Sequence, residues 1–458
     1  PLLLMPGGYP RGYDGWPMVS TAADARDGVA KWTERVSVAA EVPAALRRAI
    51  SRVKSGKPGP VVFEVAGDAA AEDIDEALLD AQPLPAARSQ ADPRDVERAA
   101  RALAGAAAPV IQAGQGVLYA EATDELVELA ELLQAPVYTT LLGKSAFAET
   151  HPLALGTSNA SAFPRTIPHF VAKADVLLGA GTSFSRHAMK YPLPAGKTIV
   201  QITNDEQDLN KHYRVDYPAV GDAKLVLRQL IDAVRDALGG KARGGGGHLA
   251  EEIKQVRAEW LREWLPKLES DEAPINPYRI VHEVNRTLDP AQTIMTHDAG
   301  SPRDQTIPFY RSAGPRSYLG WGSSHALGSG LGFAMGAKLA APDKTCVNFM
   351  GDAAFGMVGM DFETAVRERI PIITIVTKNS WMAFATERLV VSHDRYNTRD
   401  VGGDYADLAR ALGGHGERVE DPTEVGPAIA RARRITQEDG RPVLLEFITS
   451  QEHSYPRG

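Results

Sequence analysis

Residues 351–381 read GDAAFGMVGMDFETAVRERIPIITIVTKNSW, and this stretch decides the fold. The run TCVNFM before it is short, apolar and β-prone, and the Gly-Asp pair ends it. Asp361 and Glu363 give an acidic first turn to a helical pattern that sets Phe362, Ala365 and Val366 on one face, and Pro371 stops the pattern. A buried strand is expected over 372–376. Strand, turn, helix and strand define an α/β unit with parallel strands, closing on Asn379.

Such a unit delivers one carboxylate, Asp352, and one neutral amide oxygen, Asn379, to the carboxyl ends of two parallel strands, where open α/β sheets bind ligands. A hard, oxygen-liganded cation suits that pair. Mg2+ usually takes one or two protein ligands and fills its octahedron with water and substrate phosphates. The backbone amides of Ala353 and Ala354, after Gly351 and Asp352, could meet phosphate oxygens. The purely structural alternative is an ordinary strand–helix–strand unit whose Asp caps the helix.

The Gly-Asp-Ala turn with Asn379 27 residues after Asp352 resembles thiamine diphosphate (ThDP) enzymes of the acetolactate synthase, 2-hydroxyacyl-CoA lyase and oxalyl-CoA decarboxylase type. The resemblance implies Mg2+ held by the side chains of Asp352 and Asn379 and by the carbonyl of Trp381. It also implies an α/β architecture of three domains, with parallel sheets flanked by helices.

Composition sets the outer bounds. A chain of 458 residues exceeds what one hydrophobic core normally supports, so two or three domains are expected. The net charge of −8 leaves no basic surplus for nucleic acid as a main partner. Cys346 is the one cysteine, so no intrachain disulfide can form, and a reducing, cytoplasmic setting is expected. No apolar run approaches the roughly 20 residues of a membrane helix, and no leader pattern opens the chain. The opening PLLLMPGG reads as a buried strand entered abruptly, as if the chain began inside a domain.

Taken in order, residues 1–85 hold that strand, a helical stretch around VPAALRRAISRVKSG and the strand PVVFEVAGD. They resemble the last part of the family's pyrimidine-binding domain, whose earlier part carries the glutamate that activates the cofactor; no glutamate here matches it. Residues 90–238 alternate short β runs with helices, as in APVIQAGQGV, ADVLLGAGTSF and KTIVQITND. They resemble the family's middle domain, which holds FAD in some relatives and the ADP part of coenzyme A in others. Asn204 or Asp205 could meet a ribose there and Arg186 a phosphate, with loop capping and solvation as the alternatives. Gly114 and Gly116 fall short of a full GxGxxG. Residues 239–273 read as a flexible Gly-rich linker and an amphipathic helix. The ThDP- and Mg-binding domain spans 274–458.

Within that last domain, TIMTHDAG is a strand ending at Gly300 and Ser301, both reasonable diphosphate contacts, while His297 packs or hydrogen-bonds locally. The small-residue run LGWGSSHALGSGLGFAMGAKLA is a loop entering a tightly packed helix. The resemblance places Leu327 beneath the thiazolium and the carbonyl of His325 against the aminopyrimidine; the His325 imidazole could add chemistry of its own.

The residues after Asn379 bear on the reaction. Acetolactate synthases usually carry Gln and Trp where this chain has Glu387 and Arg388, and an ionisable Glu387 would be an acid/base group. The alternative is a solvated helix residue paired with Arg388 or Arg395. The expected function is therefore a ThDP- and Mg2+-dependent carbon–carbon lyase or carboligase, foremost a 2-hydroxyacyl-CoA lyase. Alternatives are an acetolactate synthase-like enzyme acting on a 2-oxo acid, or a ThDP-binding fragment without turnover. The resemblance also implies a homodimer or homotetramer with sites between subunits.

Overall fold

The structure is a computed structural model that describes residues 2–12, 29–79, 85–159, 161–186, 191–244, 246–320, 326–382 and 389–457. Three all-parallel sheets follow one another along the chain. The first has the order β1 (Leu2–Leu4), β3 (Pro60–Val65), β2 (Trp32–Val36). β3 is buried at its centre, but β1 is an edge strand with Leu2 59% and Leu4 45% exposed. This differs from the expected buried strand: among the described residues only Leu3 of β1 packs against the core of this sheet.

The second sheet runs β6 (Ala154–Ser158), β5 (Val137–Thr140), β4 (Pro109–Ala113), β7 (Val176–Ala180), β8 (Thr198–Thr203), β9 (Tyr217–Val220). The strand order reverses between β4 and β7, opening a crevice at their carboxyl ends. Helices Pro93–Gly105 and Ala223–Ala237 start on Asp92 and Asp222, whose side chains accept backbone N–H bonds as N-caps.

The third sheet has the order β11 (Tyr318–Leu319), β10 (Thr293–His297), β12 (Thr345–Gly351), β13 (Ile373–Lys378), β15 (Val443–Ile448), β14 (His415–Val419). Its central strands are buried on both faces, so they read as continuous apolar runs. Alternation sorts them. Val347, Phe349, Ile373, Ile375, Leu445 and Phe447 pack with helices Pro277–Thr287 and Val425–Glu438, whereas Cys346, Met350, Val376 and Leu444 pack with Ser329–Ala340 and Asp361–Arg367. Each fully buried side chain of this kind is worth about 1.5–3 kcal/mol.

The deciding stretch folds as strand, helix, strand, with two differences. The helical part is two helices, Asp352–Val358 and Asp361–Arg367, because Gly359 and Met360 interrupt the turn. Ala353 and Ala354 therefore belong to a first helical turn. The closing strand runs two residues past Val376, to Lys378. Upstream, the helix Gly246–Leu268 starts inside the Gly-rich stretch read as linker.

The second and third sheets are locked together by a buried pair. Lys144 is 1% exposed; its Nζ lies 2.6 Å from Glu149 and donates to the carbonyls of Ile307 and Tyr310 at 3.1 and 2.9 Å. Glu149 in turn accepts from the Ser312 N–H at 3.0 Å and from Thr157 Oγ1 at 2.8 Å.

Candidate active site

Strand order in the third sheet reverses between β10 and β12, and the carboxyl ends of β10, β12 and β13 carry the predicted residues. Gly351 pairs with Thr377, so Asp352 and the 379–381 turn emerge side by side. Asp352 is 2% exposed; Oδ1 accepts from the Ala353 N–H at 2.8 Å and Oδ2 from the Ser380 N–H at 2.7 Å. Burial lifts its carboxyl above the ordinary aspartate value, opposed by those two N–H groups and by the nearby Lys378 ammonium. No ion pair to Asp352 occurs among the described residues. Asn379 Oδ1 accepts from the Trp381 N–H at 3.0 Å, closing a tight turn in which Ser380 has φ +57°. A carbonyl oxygen has a second lone pair, so that bond leaves Asn379 able to ligate.

These groups fit a cation of the Mg2+ kind. A desolvated carboxylate without a counter-ion, one amide oxygen and a turn carbonyl make up the donor set. Among the described residues no cluster of three or more His, Cys, Asp or Glu is placed to hold a metal. The phosphate-bridging mode, with few protein ligands, is the one such a set can serve.

Gly300 takes φ +89°, which favours glycine, and Ser301 opens the short helix Ser301–Thr306. His297 is fully buried with Nδ1 2.9 Å from the Tyr318 hydroxyl; burial, aided by Arg303 and Lys144, pushes the imidazole down to about 3, so the ring is neutral. It is the local packing residue expected. Leu327 is half-buried against the core, just before helix Ser329–Ala340. His325 and Glu387 lie outside the described residues, as does Arg388.

Sequence reasoning missed several groups. Asp298 is fully buried and accepts from the N–H groups of Ala299, Gly328 and Gly330, stitching the end of β10 to the turn that presents Leu327. A Cβ at Gly330 would fall 2.5 Å from Asn348 Oδ1, so only glycine permits the approach. Lys378, next to Asn379, reaches Glu446 at 3.1 Å, a carboxylate 0% exposed. The Trp381 ring is met by the Arg399 guanidinium at 5.1 Å and by the His453 ring at 5.5 Å. The one available signal was position: an acid, or a lysine, at the end of an otherwise apolar strand.

A second concavity of ≈ 900 Å³ opens at the β4/β7 crevice, lined by Gly114, Gly181, Thr182, Tyr191 and Asn204 among others. Gly114 and Gly116 are close-approach residues: a Cβ on Gly114 would lie 2.3 Å from the Gly181 carbonyl oxygen. Asn204 faces this space. Asp205 instead pairs with Lys57 at 3.1 Å and caps Gln207, and Arg186 lies over the Tyr213 ring at 6.0 Å. The capping reading holds for Asp205.

A buried acid and an amide turn at the switch point of a parallel sheet define an α/β protein with a candidate site for a cation and a phosphate. Comparisons with known proteins narrow the class. Residues 96–230 match the family described as "Thiamine pyrophosphate enzyme, central domain", and 298–447 "Thiamine pyrophosphate enzyme, C-terminal TPP binding domain". The chain is 30% identical over 443 residues, 91% of its length and 71% of the relative's, to a "Probable acetolactate synthase large subunit" of Methanocaldococcus jannaschii. It is 29% identical over 407 residues, 82% of its length and 66% of the relative's, to a sulfoacetaldehyde acetyltransferase of Alcaligenes xylosoxydans xylosoxydans. The crystal structure of benzoylformate decarboxylase from Polynucleobacter necessarius shares the fold, with TM-score 0.78 at 19% identity, covering 100% of this chain and 83% of that one. The chain belongs to the thiamine pyrophosphate enzyme family and is of its acetolactate synthase type.

Proposed function

We propose that the chain binds ThDP through Mg2+ held by Asp352, Asn379 and the Trp381 carbonyl, and makes or breaks a carbon–carbon bond next to a carbonyl. The observation that carries this reading is the buried Asp352 carboxylate, hydrogen-bonded to the turn that presents Asn379 and with no ion-pair partner among the described residues. Gly300 and Ser301, with the first-turn amide of Ala354 after Gly351, would take the diphosphate, joined by Ala353 only if its N–H is shared with Asp352 Oδ1; Leu327 would support the thiazolium. When bound, ThDP supplies an electron sink for the pair released as the bond breaks. The protein supplies orientation, a water-poor site and proton donors, with Glu387 and His325 as the candidates for proton transfer.

A 2-oxo acid is the first substrate class to test, since the M. jannaschii relative is named an acetolactate synthase. The 2-hydroxyacyl-CoA reading draws on a different observation: the β4/β7 concavity has the size for a nucleotide, and coenzyme A carries one. FAD is the other nucleotide that would fit. Sites shared between copies, in a homodimer or homotetramer, belong to the same proposal, and the buried thiol of Cys346 suits a reducing cytoplasm.

Calorimetry with ThDP and Mg2+ together should give saturable binding that vanishes without the metal. Exchange of the C2 proton of bound ThDP then separates a catalyst from a binder. Consumption of pyruvate, set against condensation of formyl-CoA with a ketone, decides the substrate class. Glu387→Gln should cut turnover by about tenfold or more while leaving ThDP affinity unchanged.

A further inference from the structure

The segment after β15 crosses both turns of the candidate site. Ser301 Oγ lies 2.8 Å from the Tyr455 hydroxyl, and His453 meets the Trp381 ring edge-on at 5.5 Å. The segment is held along its length. Glu452 accepts from Lys267 Nζ at 2.7 Å, the Tyr278 hydroxyl donates to the Ser454 carbonyl at 2.6 Å, and the Phe163 N–H donates to the Pro456 carbonyl at 2.9 Å. Residues 450–457 thus join the Ser301 turn, the Trp381 turn and the connection that follows β6.

We propose that Tyr455 is a positioning residue of the cofactor site, fixing the Ser301 hydroxyl so that its proton points at the diphosphate; this rests on the reading that Gly300 and Ser301 meet that group. The chemistry is one of donors and acceptors. Two hydroxyls in contact hold two protons, one shared between them and one left to donate. A phenol is the more acidic partner, so Tyr455 donates to Ser301 Oγ. The serine proton is then free for an anion, and the chain of two bonds polarises it further. Burial raises the Tyr455 phenol above its ordinary value, which keeps it a donor at neutral pH. Without the phenol, Ser301 could spend its proton elsewhere in its turn.

Tyr455→Phe keeps the ring and removes only the hydroxyl. Expected by calorimetry is about tenfold weaker binding of ThDP in saturating Mg2+, with the unfolding midpoint of the cofactor-free chain unchanged. In an assay, the cofactor concentration for half-maximal rate should rise while the rate at saturation holds. Ser301→Ala should give a similar loss, and the double variant no more than either, because the two hydroxyls act as one unit. Unchanged affinity in Tyr455→Phe, or full additivity in the double variant, overturns the proposal while leaving the cofactor reading intact. A lower midpoint with unchanged affinity assigns Tyr455 to packing and likewise overturns it. Absence of ThDP binding by the unaltered chain sinks both.

Discussion

Two buried charged groups lie at either end of the helix Ser301–Thr306, and they are treated in opposite ways. At its far end Lys144 is surrounded by Glu149, Thr157 and two backbone carbonyls, and Glu149 by Thr157 and Ser312. Near its start Asp352 has two N–H groups, the Lys378 ammonium at longer range and, among the described residues, no ion-pair partner. Both sites desolvate a charge, which costs several kcal/mol per ion. In the first, a carboxylate, a hydroxyl and two carbonyls oppose that cost, although burial still pulls the Lys144 ammonium below its ordinary value, and the result is architecture. In the second, backbone N–H groups supply most of the opposition, and what they leave is an affinity for something positive. A satisfied buried charge holds domains together; a half-satisfied one marks a binding site.

The sharpest way to break this contrast is Lys144→Met. It leaves Glu149 buried without its cation and should cost about 3–5 kcal/mol, read as a large fall in the urea or thermal midpoint. Lys144→Met with Glu149→Leu should recover most of the loss. A single-variant cost below about 1 kcal/mol would erase the distinction.

Asp352→Asn should act the other way round. Mg2+-dependent ThDP affinity should fall on the order of 100-fold, while the cofactor-free chain loses one backbone hydrogen bond and changes by about 1 kcal/mol or less. The pH dependence has a definite sign. Because burial raises the Asp352 carboxyl in the folded chain, its stability contribution is full below the ordinary value of 3.8 and is lost as pH rises through the raised value. Without cofactor, Asp352→Asn should therefore gain stability relative to the parent as pH climbs from 3.8 toward neutrality. Saturating Mg2+ and ThDP should reverse that advantage. A difference flat with pH would show that Asp352 carries no burial penalty.

Much of this was legible in the sequence because it rests on local pattern. The apolar runs of β12 and β13, the Pro371 stop and the Gly-Asp punctuation fix a strand–helix–strand unit without tertiary knowledge, and parallel pairing puts Asp352 beside the 379 turn. The short helix Asp352–Val358 was not legible, since its Gly-rich sequence reads as a turn before the helix that opens at Asp361. Asp298, Lys378, Glu446 and Tyr455 were not legible either. Their roles come from partners 25 to 154 residues away in the chain, and no period within a window of ten residues reports such contacts. The exposure of β1 escaped for the same reason: Leu2–Leu4 looks like a core strand, whereas among the described residues it pairs with β3 alone.

The smallest effect belongs to a third carboxylate, which tests whether burial or pairing governs the contrast. Asp205 is paired with Lys57, but the Lys57 side chain is 45% exposed and also reaches Asp208 at 2.7 Å. Solvent screens the attraction, and removing one acid leaves the ammonium a partner. Asp205→Asn should thus cost less than about 1 kcal/mol in unfolding free energy, and the cost should shrink further in high salt. If it matched Lys144→Met, pairing alone would set the scale and desolvation would not. The cofactor-free behaviour of Asp352 would then need a cause other than burial, because Asp352, which has no ion-pair partner among the described residues, is as deeply buried as the Lys144 pair.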